Sequence, residues 1–88
     1  MDFFDENKTP ADKFFEILPH ASQEAVRQEL EKLVERLAIL ELLAEEQMGE
    51  GLEQKIFEVR GTRKEELEER VQNTFLDLMS QILKKTTY

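Results

Sequence analysis

From Val26 to Ala44 the apolar residues return in alternating steps of four and three: Val26, Leu30, Leu33, Leu37, Leu40, Ala44. That rhythm places all six on one face of an α-helix, at the a and d positions of a heptad. A strand alternates with period two and would scatter them over both faces. The segment therefore has to be helical and has to lay that face against something apolar. Val34, Ile39, Leu42 and Leu43 widen the stripe beyond a two-stranded coiled-coil seam. So broad a face suits a helix inside a bundle.

The signals around this stripe set the other elements. Thr9-Pro10-Ala11-Asp12 reads as a helix start, with a capping hydroxyl, proline at the first position and an acid in the first turn. Ala11, Phe14, Phe15 and Leu18 share a face, and Pro19 closes a short helix at about 10–18. Ser22 caps the long helix, expected over about 23–48, and Gly49-Glu50-Gly51 ends it. Residues 52–60 fit a helix face through Leu52, Ile56 and Val59, although their alternation also resembles a short strand. With no second strand candidate in the chain, a short helix or irregular linker is expected. Gly61 is read as punctuation, and Thr62 with Glu65 as a capping box opening a last helix at about 63–84. Its apolar set is Leu67, Val71, Phe75, Leu78 and Ile82, with Glu66 and Arg70 spaced as an i,i+4 ion pair.

The expected architecture is all-α: a short N-terminal helix plus two long helices forming an antiparallel hairpin in one domain, residues 1–88, with residues 1–8 a flexible acidic N-terminus. One hairpin leaves part of both stripes in water. Burying one leucine-sized side chain stabilises by about 1.5–3 kcal/mol, so half a dozen left exposed rival a whole domain's stability of roughly 5–15 kcal/mol. A chain of 88 residues has little spare core. It has no cysteine for disulfides or a thiolate zinc site, and a single histidine. A second copy is the remaining support, and a homodimeric helical bundle is the simplest closure. The expected dimer and core residues are Leu30, Leu33, Leu37 and Leu40 facing Val71, Phe75, Leu78 and Ile82.

Charge narrows the partners. The net charge is −8, and residues 51–88 contribute none of it, with seven acids against seven bases. The excess of acid therefore lies in residues 1–50. Such a chain repels phosphate backbones and anionic bilayers, so neither nucleic acid nor membrane is an expected partner. The acidic start lacks the basic and apolar regions of a signal peptide, and no stretch is long and apolar enough for a membrane span. A cytoplasmic protein is the expectation.

No catalytic pattern emerges. His20 falls in a turn with no orienting acid, and Ser22 already serves as a cap. The acidic clusters Glu45-Glu46 and Glu65–Glu69 read as solvated helix faces. Neither a Glu-x-x-His motif nor a calcium loop is present, so no metal or cofactor is expected. Four of the six phenylalanines fall within the first fifteen residues. Phe3, Phe4, Phe14, Phe15 and Leu18 are therefore the candidate partner-binding residues, in the manner of a helix or aromatic anchor in a groove. The expectation is a small acidic interaction module acting by binding, not an enzyme: an adaptor, chaperone or regulator. Two alternatives stand beside it. One is an acidic inhibitor, antitoxin-like, masking a basic surface of its target. The other is a small dimeric enzyme whose Arg27, Arg36, Arg60, Arg63 and Arg70 line a shared site.

Overall fold

A computed structural model describes residues 8–86. Four helices follow one another: α1 (Pro10–Ile17), α2 (Gln23–Met48), α3 (Gly51–Thr62) and α4 (Lys64–Lys85), with a 3-10 turn at Leu18–His20 after α1. The protein is all-helical among the described residues.

The ends of the first two helices follow from local chemistry. Thr9 accepts from the Asp12 amide at 3.2 Å, and the Asp12 carboxylate accepts from the Thr9 amide at 3.0 Å, a reciprocal cap. Pro19 holds the chain in a single 3-10 turn, and Ala21 is extended. Ser22 then accepts from the Ala25 amide at 3.3 Å and opens α2. That helix runs 26 residues to Gly49, whose φ of 55° turns the chain away.

The second half departs from the sequence expectation in three places. Residues 51–62 form a full helix that runs through Gly61 to Thr62, so Gly61 does not punctuate. Thr62 does not cap α4. Its hydroxyl donates back to the Glu58 carbonyl at 2.7 Å, as a threonine inside a helix does. The boundary is Arg63 alone, at φ −123° and ψ 37°, with no side-chain cap. Arg63 also takes the partner expected for Arg70: its Nε donates to Glu66 at 2.7 Å.

The core sits at one end. Phe14 from α1, Ala21, Ala25 and Val26 at the start of α2, and Ile82 near the end of α4 form one buried cluster. Leu18, Phe75, Leu78 and Met79 pack against it. The rings of Phe14 and Phe75 stand 5.4 Å apart, and Phe15 lies edge-on to Phe14 at 5.2 Å. Polar contacts join the same end: the Ser22 amide donates to the Thr86 hydroxyl at 3.2 Å, and Lys85 reaches Glu29.

The molecule is elongated: the Cα extents are 47 × 29 × 15 Å, the shortest matching two helices packed with axes about 8–10 Å apart. The radius of gyration is 15.8 Å. A compact domain of this length would have about 12 Å.

Candidate interaction surfaces

Past Leu30 the apolar stripe of α2 leaves the core and stays in water. Leu37 is 54% exposed and Leu40 is 50% exposed, far from the values of a bundle interior. Val34, Ile39, Leu42 and Leu43 are also exposed. Leu33 is the most sheltered of the large apolar residues in this stretch. It shares a cavity of about 200 Å³ with Val71, Phe75 and Leu78 of α4. The two long helices thus leave a gap rather than interdigitating there.

The residues expected to act together divide between two roles. Ile82 is fully buried inside the single chain, and Phe75 and Leu78 are half-buried beside it. Leu30, Leu37 and Leu40 face out, while Leu33 and Val71 border the cleft between α2 and α4. Among the candidate partner anchors, Phe14 is buried in the core and Leu18 half-buried, while Phe15 is 60% exposed. Phe3 and Phe4 lie outside the described residues.

A second apolar surface forms at the end opposite the core. Ala44 and Met48 of α2, Leu52, Ile56 and Val59 of α3, and Leu67 of α4 line a groove of about 460 Å³. Lys55 and Arg60 stand on its wall. Sequence reasoning missed it because it depends on α3 being a complete helix. The signal was present in the Leu52, Ile56, Val59 spacing.

The charged groups arrange differently. Glu29 is the one buried acid among the described residues. Lys85 and Lys32 both bond its carboxylate, the latter at 3.3 Å. The hydrogen bond from Lys85 is the main reason its pKa falls below the ordinary 4.5, with Lys32 adding to it and burial opposing. Lys85 is correspondingly raised above 10.5, chiefly by Glu29. Arg27, Arg36, Arg60, Arg63 and Arg70 are all exposed, and Arg63 and Arg70 share a cleft. Among the described residues no group of three histidine or acidic side chains is placed to hold a metal. None of the described helices is long and apolar enough to cross a membrane.

Residues 4–87 match the family model described as Domain of unknown function (DUF2018). The chain belongs to that family. The match takes in all four helices, so the exposed stripe and the groove are both parts of the domain it describes. No curated protein and no solved structure matches the chain.

Proposed function

We propose that this protein is an interaction module that acts by binding, and that its first partner is a second copy of itself. The observation that carries the reading is surface area. The chain exposes 7333 Å². A compact protein of its mass exposes about 5,400 Å², so the excess is about 1,900 Å². An obligate homodimer buries about 1,000–2,500 Å² from each partner. Among the large apolar side chains that contribute to it are Leu30, Leu37, Leu40, Leu42 and Leu43 of α2, each 42–61% exposed.

In this reading α2 and α4 form an antiparallel hairpin, and two hairpins close a helical bundle around Leu30, Leu33, Leu37 and Leu40. The acidic residues of α2, Glu31, Glu35, Glu41, Glu45 and Glu46 among them, remain outside as the surface offered to further protein partners. Nucleic acid and anionic membranes are repelled by the same charge. Supported by a chain without cysteine, the module is assigned to the cytoplasm.

Light scattering across a dilution series tests this. The expected mass is twice the 10.4 kDa of the chain. A mass of one chain that holds at every concentration would overturn it.

A further inference from the structure

A second copy can lie along α2 in either of two directions, and a cavity in the single chain distinguishes them. The space of about 200 Å³ between α2 and α4 is bordered by Leu33, Val71, Phe75 and Leu78, with Arg70 and Thr74 completing its lining. No polar atom of that lining is exposed within it. An apolar cavity of about 150 Å³ already admits a benzene-sized guest, so this one has room for a leucine side chain. Left empty, its walls forgo their dispersion contacts on one side.

The stripe supplies a guest. Of Leu30, Leu33, Leu37 and Leu40, Leu37 is the most exposed, at 54%. It lies four residues beyond Leu33, about 6 Å past the level of the cavity. A copy laid in the same direction sets the partner's Leu37 at that same offset, against Leu37 itself. A copy laid end for end brings it back. Val26 then comes level with the partner's Ala44, Leu30 with the partner's Leu40, and Leu33 with the partner's Leu37, so every member of the stripe is matched. The two-fold axis crosses α2 at the level of Glu35. Each Leu37 arrives beside the other copy's cavity, as a knob at a hole.

Charge along α2 favours the same direction. Its three bases, Arg27, Lys32 and Arg36, all precede Leu37, while the charged residues after Leu37 are the acids Glu41, Glu45 and Glu46. Copies laid in one direction hold those acids level with their own duplicates. The cavity places α4 along the Leu33 edge of the stripe, so the edge open to a copy carries Arg27, Val34 and Glu41. End for end, Arg27 comes level with the partner's Leu43, between the partner's Glu41 and the partner's Glu45 on that edge. Acids of the first half are already engaged: Glu29 by Lys85 and Lys32, Glu31 by Arg27 at 3.0 Å, and Glu24 by Gln28 at 3.2 Å. The Arg27–Glu31 pair is exposed, so sharing Arg27 costs little. Glu35 and Arg36, although level with the axis, lie round the helix beyond the open edge.

We propose that the homodimer is antiparallel along α2, with Leu37 of each copy seated in the cavity between α2 and α4 of the other. This arrangement rests on the homodimer reading and adds its direction, its register and the residue that locks them.

The chain has no cysteine, so single-cysteine variants at exposed sites carry one spin label per copy. Labels on Glu45→Cys stand ten residues past the axis on each copy and are expected about 30 Å apart by pulsed dipolar spectroscopy. Labels on Val34→Cys flank the axis and are expected within about 20 Å of each other. Short separations at both sites mean a parallel pair and overturn the proposal alone. No dipolar coupling at either site, with a mass of one chain, overturns the homodimer as well. Val71→Phe fills the cavity from within the chain. It is expected to raise the dimer dissociation constant at least tenfold with helicity kept, and an unchanged constant overturns the seating of Leu37. Should Val71→Phe misfold, Thr74→Leu fills the same space and is read in the same way.

Discussion

Glu29 carries the clearest pH dependence in the protein. Its carboxylate is buried and bonded by Lys85 and Lys32, and its pKa is lowered in the fold. A lowered carboxylate stabilises the folded state at pH above its unfolded value of 4.5, and that contribution is lost as pH falls through the folded value. Lys85, raised above 10.5, contributes below that pH and loses its contribution as pH rises through the folded value. Glu29→Gln is therefore expected to lower the melting temperature at neutral pH. The gap to the native protein should close as pH falls below 4.5. Melting curves followed by circular dichroism at stepped pH would show it, and a gap that persists in acid would refute the clasp. Ser22 acts at the same scale, as the sole side-chain cap on α2. Ser22→Ala should cost about 0.5–2 kcal/mol in denaturant unfolding.

Individual elements explain what was legible in the sequence and what was not. The bounds of α2 were readable because Ser22 and Gly49 act locally: a hydroxyl bonds the amide three residues on, and a positive φ ends the helix. The boundary between α3 and α4 was not readable. Thr62-x-x-Glu65 has the form of a cap, but whether a threonine caps or continues a helix depends on the preceding turn. Here Leu52, Ile56 and Val59 line one groove with Ala44 and Leu67, an arrangement of three helices that the local cap motif does not register. A pair of glycine substitutions separates the two kinds of position. Gly49→Ala forces an L side chain into a backbone shape that only glycine adopts freely, and should cost about 1–3 kcal/mol. Gly51→Ala lies in a helix with open space around it, and should gain about 0.4–1 kcal/mol. Urea titration of both variants measures the contrast, and equal effects would show the α2–α3 corner misassigned.

At the scale of the whole molecule the two groups of apolar residues should respond differently. Ile82 is wholly enclosed, so Ile82→Ala should cost about 2–5 kcal/mol and loosen the chain itself. Leu37 lies in water in the single chain. Leu37→Asp is expected to abolish association while the core around Phe14, Val26 and Ile82 still forms. Sedimentation velocity beside helicity reads both effects, and a dimer that survives Leu37→Asp would remove α2 from the interface. The sequence revealed that apolar surface was in surplus, since the heptad stripe is local. It did not reveal which residues satisfy the protomer and which are left over. That division depends on α1 covering only the end where Phe14 meets Phe75 and Ile82.

The position of the core also sets an order on synthesis. Phe14, Ala21, Ala25 and Val26 leave the ribosome early, but they close around Ile82, the last of the buried cluster to be made. Until α4 has emerged, α1 has no surface to lie on, and the leucines of α2 are exposed on an unfinished chain. Such a chain is open to aggregation until α4 is made. The acidic residues between those leucines then have a further use, holding nascent copies apart until each can complete its own core.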